Sequence, residues 1–310
     1  MPQPHRLPSW QLFAIAVAIW STTWHAILYQ LEHTPPETSV AVRFGLAGLL
    51  ALGVAAWRGD RLRCTRTEHL RIALQGVFMY SLAYVCVYHA ERHVPTGLVA
   101  VGYSASPLVT GIGAWLLWRG PLSPRFLIGG LLCIAGVSMI FAPEFAALRP
   151  GSAALPGAVF TAAAVALSGV GSLLSSRNAT HQLPFWPAMG WGMLYGAALS
   201  ATIAGLGEQT LALPSPLDAP AWWLSLTYLA VAGSVIAFAC YLTLQQRIGP
   251  GAASTVGVMT PVLALVISAA FEGFKPVALT WLGAALALAG NLLILRVGPE
   301  GHGTGAGTSR

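Results

Sequence analysis

Apolar residues fall in ten long runs, at 10–29, 38–57, 72–90, 97–117, 124–141, 155–175, 185–206, 221–241, 252–271 and 276–296. Short polar breaks, many bearing Pro or Gly, separate them. A helix needs about 20 apolar residues to cross a hydrocarbon core roughly 30 Å thick. The runs have about that length, so the pattern predicts an all-α membrane protein of ten transmembrane helices. Two connections are longer than the rest, Arg58 to Arg71 and Gly207 to Pro220. Residues 1–9 show no cleavage-site pattern set apart from a full-length span, so the first run is expected to remain as a helix. Residues 297–310 are rich in Gly and Thr, lack apolar periodicity and are expected to be disordered.

The runs also repeat. Ser106-Pro107 returns 154 residues later as Thr260-Pro261, and 22 residues separate Pro107 from Gly129 just as they separate Pro261 from Gly283. Gly97 matches Gly251, and Gly136 matches Gly290. Upstream the spacing is 148, pairing Pro36 with Pro184 and Gly48 with Gly196. The chain therefore reads as two five-run repeats, 10–141 and 155–296, joined by a linker at 142–154. A repeat with an odd number of crossings must insert its second copy upside down, the arrangement of inverted-repeat transporters.

Charge placement agrees with inversion. With the N-terminus in the cytoplasm, twelve arginines fall inside: Arg6, Arg58, Arg61, Arg63, Arg66, Arg71, Arg119, Arg125, Arg177, Arg247, Arg296 and Arg310. Arg92, Arg149 and Lys275 fall outside, and Arg43 lies within a helix. The long loop Arg58 to Arg71 carries five arginines, whereas its counterpart Gly207 to Pro220 carries none but holds Glu208 and Asp218. The positive-inside rule thus sets both termini in the cytoplasm.

Composition narrows the class. Only 8 % of residues are charged and mean hydropathy is +0.67, far from the quarter or so of charged residues that a soluble domain carries. The net charge of +6 follows from topology, so no nucleic-acid partner is expected; membrane lipids and a small-molecule substrate are. Cys64, Cys86, Cys133 and Cys240 have no metal spacing, and three of them lie in apolar runs as packing residues. Neither metal nor cofactor is implied. Walker-type, HExxH and GxSxG motifs are absent, which excludes ATP-driven transport by this chain alone. The triplet Asn178-Ala179-Thr180 fits a glycosylation sequon but falls in a short connection expected on the cytoplasmic side, where it is a chance match.

Several local patterns are similar to those of the EamA family of the drug/metabolite transporter superfamily. They are Ile19-Trp20-Ser21-Thr22-Thr23 in the first run, Pro35-Pro36 followed by Arg43-Phe44 in the second, and the Ser/Thr-Pro of the fourth and ninth. The fifth and tenth carry Gly129…Gly136-Val137 and Gly283…Gly290-Asn291. The resemblance extends from about Gln11 to Arg296. Ser21 stands where the family has glycine, Trp118-Arg119-Gly120 lacks the family's glutamate, and Phe271-Glu272-Gly273 is a displaced counterpart. The resemblance implies a secondary transporter of a bacterial inner membrane that exports amino acids or related metabolites by alternating access. For its oligomeric state a single chain is the simplest expectation.

Polar groups in a bilayer are costly and tend to face a bundle interior or cavity. Arg43 is the clearest: it either snorkels towards Glu32 or Glu37, pairs structurally between helices, or holds a substrate carboxylate. His25 is either a protonatable switch or a neutral, hydrogen-bonded histidine. His89 and Tyr88 sit at the outer end of the third run, where an interfacial role is expected. Trp20 and Trp24, and the stripe of Tyr80 and Tyr84, divide between cavity lining and packing. Tyr103, Ser106 and Thr110 share a face around Pro107; Thr255 and Thr260 flank Pro261, with Ser234 nearby. The substrate-binding set is therefore Trp20, Trp24, His25, Tyr80, Tyr84, Tyr103, Ser106 and Thr260, with Pro107 and Pro261 as helix bends. No Asp or Glu falls deep in a run, so proton coupling would rest on His25 or Glu272. The competing readings are an intramembrane enzyme acting on a lipid-linked substrate, which would need catalytic groups gathered at one depth, and a channel, which would need a filter-like segment.

Overall fold

The computed structural model of the chain describes residues 7–118, 123–146, 154–207, 212–273 and 275–295. Arg6, Arg119, Gly120, Arg149 in the linker, Glu208, Arg296 and the tail 297–310 with Arg310 lie outside the described residues. Among the described residues, all regular structure is helical. In chain order the helices are α1 Ser9–Leu31, α2 Pro36–Trp57, α3 Arg66–Glu91, α4 Thr96–Leu117, α5 Pro124–Ala146, α6 Ala154–Thr180, α7 Phe185–Leu206, α8 Pro220–Ile248, α9 Val256–Phe271 and α10 Ala278–Leu295. Seven of them, α1–α4 and α6–α8, are long and apolar enough to cross a membrane; α5, α9 and α10 carry shorter apolar stretches.

The ends follow local chemistry. Proline opens α2 at Pro36, α5 at Pro124 and α8 at Pro220, where its missing N–H is one of the orphan donors of a first turn. Helix α3 starts at Arg66, ahead of the apolar run at 72, because Thr65 and Glu68 form a capping box: Glu68 N–H donates to Thr65 Oγ1 at 3.3 Å and Thr65 N–H to Glu68 Oε2 at 2.6 Å. Arg66 and Arg71 are thus helical, and the basic loop is shorter than the hydropathy edge suggests. Helix α8 outlasts its run, reaching Ile248, because Gln245 is buried and donates to Ser172 O at 2.6 Å and Ser172 Oγ at 2.9 Å. It stops at Gly249, whose φ of +83° favours glycine. Asn178 corrects another expectation. It lies inside α6, buried, donating to Gln75 Oε1 at 2.9 Å and Arg71 O at 3.3 Å, so it ties α6 to α3 and is not a loop residue.

Four helices are locally irregular. Helix α3 has a π segment at Val77–Leu82 and α8 one at Leu229–Ile236. Helix α4 tightens into a 3₁₀ turn at Tyr103–Ala105, directly before Ser106-Pro107. A short helical turn, Pro250–Ala253, precedes α9, which contains Pro261.

Packing gathers the irregular helices at the centre. Helix α5 packs along α10 with Gly129 against the Gly290 carbonyl and Gly136 against that of Gly283, an approach that a Cβ would block. Helix α2 packs on α7, α1 on α8 and α9, α6 on α3 and α4, α4 on α9, α3 on α7, and α2 on α8. The largest buried cluster joins Phe44, Tyr80, Tyr88, Met189, Met193 and Phe238.

Candidate functional site: a central cavity and the charges around it

A cavity lies between α1, α3, α4, α6, α8 and α9. It holds about 820 Å³ of space free of protein atoms, part of it open to the outside, within the range of small-molecule sites. Trp20, Trp24, Tyr84, Tyr103, Phe238 and Tyr241 supply its aromatic walls; Thr23, Ser106, Thr110, Ser168, Ser172, Ser254 and Thr260 supply hydroxyls. Met79, Ile27 and Val87 complete the apolar part. Among the described residues no charged side chain lines it.

The wall is held by its own bonds. Trp20 Nε1–H donates to the Gly233 carbonyl at 3.0 Å, an oxygen within the π segment of α8, and its ring meets Phe238 at 5.2 Å and Tyr241 at 5.3 Å. Trp24 packs edge-on to Tyr103 at 5.3 Å. Tyr103 OH and Ser168 Oγ are 3.0 Å apart, as are Tyr241 OH and Ser172 Oγ. Thr260 Oγ1 donates to Val256 O at 2.9 Å. Two lining groups, Trp24 Nε1 and Ser106 Oγ, make no hydrogen bond among the described residues.

Six of the eight residues singled out as substrate-binding therefore stand on one cavity: Trp20, Trp24, Tyr84, Tyr103, Ser106 and Thr260. Tyr80 and His25 do not. Tyr80 is fully buried between Phe44 at 5.5 Å and Phe238 at 5.0 Å, and its hydroxyl makes no well-formed hydrogen bond among the described residues. The sequence missed Ser168 and Ser172, spaced four apart on α6, and Phe238 and Tyr241 on α8. A helical spacing of small hydroxyls and of aromatics was available for both pairs, without the repeat's Pro or Gly to draw attention to it.

Arg43 is fully buried, so it does not snorkel to Glu32 or Glu37. Its Nε donates to Ser234 Oγ at 3.0 Å and its Nη1 to Tyr88 OH at 3.4 Å. The guanidinium lies 4.7 Å from the centre of the Tyr84 ring and 5.1 Å from that of Phe44, a cation–π arrangement. It stands behind Tyr84, one layer from the cavity, and its Nη2 makes no well-formed hydrogen bond among the described residues. Tyr88, expected in the interfacial belt, is instead fully buried and donates to Gln30 Oε1 at 2.7 Å: Arg43 needs an acceptor there.

The end of the bundle where α1 and α3 finish and α2 and α4 begin holds two histidine–carboxyl pairs. His25 Nδ1 is 3.3 Å from Glu272 Oε1, and His89 Nε2 is 2.7 Å from Glu37 Oε1. His89 also stacks on Phe160 at 4.9 Å, making it a link between helices rather than an interfacial side chain. Among the described residues no group of His, Cys, Asp or Glu has the arrangement of a metal site.

The chain is similar to known transporters over most of its length. It is 29 % identical over 276 residues to the Escherichia coli K12 protein described as "Uncharacterized inner membrane transporter YedA", covering 87 % of this chain and 85 % of that one. It is 23 % identical over 267 residues to Protein PagO of Salmonella typhimurium, covering 85 % and 84 %. A solved structure described as "Crystal structure of protein" shares its fold with a TM-score of 0.68 at 20 % identity, over 94 % of this chain and 97 % of that one. Residues 8–142 and 155–296 each match the EamA-like transporter family. That sets aside the intramembrane-enzyme reading: the chain belongs to the EamA-like transporter family and is a multi-pass membrane transporter.

Proposed function

We propose that the protein exports amino acids or related small metabolites by alternating access, through ten transmembrane helices arranged as two inverted five-helix repeats. The observation that carries this is the makeup of the cavity wall. It comes from α1, α3 and α4 and from the helices five places later, α6, α8 and α9. The helix contacts support the same exchange: α1 on α8 has its counterpart in α6 on α3, α1 on α9 in α6 on α4, and α3 on α7 in α8 on α2. A cavity walled by equivalent helices can open to either side by trading the roles of the halves.

Aromatic faces and hydroxyls without a lining charge suit a small solute with an apolar body and few polar groups, which Trp24 Nε1 and Ser106 Oγ are free to bond. Arg43, one layer behind Tyr84, supplies a positive field for a carboxylate. The 3₁₀ turn before Pro107 and the break before α9 support bends in α4 and α9 at the cavity. The arginine distribution supports cytoplasmic termini, which puts the Glu272 end outside, and the relative named for the inner membrane supports that location.

The test is uptake and efflux in proteoliposomes with a panel of amino acids and related metabolites. Movement of one or more solutes, reduced by Trp20→Ala or Tyr84→Ala when flux is normalised to folded protein, is the expected result. If no solute moves, the export reading fails; if only the yield falls, these side chains are packing.

A further inference from the structure

Glu272 follows the last residue of α9, and its carboxylate joins three of the helices that wall the cavity. His25 Nδ1 of α1 is 3.3 Å from Oε1, and the Thr96 hydroxyl of α4 donates to the same oxygen at 2.5 Å. Thr96 N–H at 3.2 Å and Ser268 Oγ of α9 at 2.9 Å donate to Oε2. A carboxylate is acceptor-only, with about four lone-pair sites, so these four contacts fill it. One donor is an orphan N–H of the first turn of α4, where Pro95 supplies no side-chain cap. An anion there also meets the positive end of the helix.

Backbone packing closes the same end. Thr96–Gly102, the first two turns of α4, are buried throughout. A Cβ at Gly97 would stand 3.1 Å from Leu265 Cα and from Ser268 Cβ of α9, so the two helices meet there with no room for a side chain. The 154-residue repeat makes Gly251 the counterpart of Gly97, at the far end of α9 from Glu272. Among the described residues nothing lies within 4 Å of where a Gly251 Cβ would be. The same spacing puts Trp118, not an acid, at the counterpart of Glu272. One end of the α4–α9 pair is thus bonded and tight, and the matching contact at the other end is open.

Between the two ends α4 has a joint. Tyr103–Ala105 wind into a 3₁₀ turn directly before Ser106-Pro107, a form that often marks a hinge, and Tyr103 and Ser106 stand on the cavity wall. We propose that Glu272 is a positioning residue that sets which way the cavity faces. With its four bonds made, the first turns of α4 are clamped to α1 and α9 and the cavity is shut at this end. When they part, that segment swings about the 3₁₀ turn, and this end opens as the opposite end closes. The proposal rests on the alternating-access reading and names the contact that breaks in each cycle.

Hydrogen exchange of the full chain in nanodiscs, at one pH and without solute, tests it at both ends at once. Segments 24–31, 96–102 and 268–272 report the latched end; segments 112–117 and 173–180 report the opposite end. Glu272→Gln sets an amide N–H₂ among donors and should speed exchange at the latched end about tenfold, while protection rises at the opposite end. Gly97→Ala keeps every bonding group of Glu272 but wedges α4 from α9, and should shift both ends in the same directions. Ser268→Ala removes one of the four contacts and should do so by less. Gly251→Ala, in open space, and Glu32→Gln, at an exposed acid of the latched end, should keep the wild-type pattern. Loss of protection at the latched end with no gain at the other, in both Glu272→Gln and Gly97→Ala, means that these contacts only brace the fold and overturns the proposal. An unchanged pattern in both overturns it too. If Glu272→Gln does not fold, Gly97→Ala and Ser268→Ala carry the same test. The proteoliposome panel separates the two readings: solute flux without a reciprocal shift removes the latch and leaves transport standing. A reciprocal shift with no flux of any solute removes the proposed solute class and leaves the latch.

Discussion

Helices α1 and α6 occupy matching places in the two proposed repeats, yet they bring opposite chemistry to the cavity. At the 148-residue spacing Trp20 corresponds to Ser168 and Trp24 to Ser172, and all four line the wall. One helix supplies two indoles, the other two hydroxyls. The same division holds between α3 and α8, both wound into a π segment. At the 154-residue spacing Tyr80 corresponds to Ser234; the tyrosine hydroxyl makes no well-formed hydrogen bond among the described residues, whereas the serine takes the Nε–H of a buried arginine. The two proposed repeats place their helices alike but differ in the chemistry they bring. A solute in this cavity meets two indoles from α1 and two hydroxyls from α6, so the proposed exchange of access need not mean a symmetric site.

The bulky wall should be the harder to lose. Trp20→Ala removes a ring packed on Phe238 and Tyr241 and leaves the Gly233 carbonyl without its donor. A loss of about 3–5 kcal/mol is expected, read as a lower unfolding midpoint in detergent, together with loss of flux. Ser168→Ala at the matching place deletes one bond to Tyr103 and should cost about 1 kcal/mol. Equal effects at the two positions would erase the contrast between α1 and α6.

The π segment of α8 is the next place to break it. Gly233 faces the Thr23 methyl and, 3.2 Å from where a Cβ would stand, Arg43 Nη2. Gly233→Ala overpacks a closed junction and should destabilise by about 1–3 kcal/mol, because the Arg43 side chain is fixed by Ser234 and Tyr88. Unchanged stability in thermal unfolding would mean that the junction is looser than its bonds indicate. Ser172→Ala is smaller still. It removes a bond to Tyr241 and one from Gln245, whose amide keeps the Ser172 carbonyl. About 1 kcal/mol of stability is expected to go, with a measurable fall in flux as Tyr241 loses its anchor at the wall.

The ends of the helices were legible where hydropathy and proline decide them, as at Pro36 and Pro220. They were not legible where protein partners replace solvent: Gln245 and Asn178 read as polar edges, and only their bonds to Ser172, Gln75 and Arg71 bring them inside. Burial of acids was hidden for the same reason. Glu37, Glu91 and Glu272 fall at span ends by count, and nothing in the spacing announces that neighbouring helices cover them. Arg43 was visible as an intramembrane charge, but its partners, Ser234 at 191 positions away and Tyr88 at 45, depend on the tertiary arrangement.

Tyr80 marks the limit most sharply. Residues four apart share a face of an α-helix, so Tyr80 and Tyr84 read as one stripe. Tyr80 lies inside the π segment Val77–Leu82, and Tyr84 lies beyond it. A π turn takes more residues to come round, which swings Tyr80 off the cavity face and into the core beside Phe44 and Phe238. Its hydroxyl is then a buried polar group with no well-formed hydrogen bond among the described residues. Tyr80→Phe should therefore leave the unfolding midpoint unchanged or slightly raised, within about 0.5 kcal/mol, and leave flux unaltered. Tyr103→Phe, which cuts a bond to Ser168 at the wall, should lower flux in the same assay. If Tyr80→Phe impaired flux as much as Tyr103→Phe, the hydroxyl would belong to the transport path after all, and the π segment would not separate the two faces of α3.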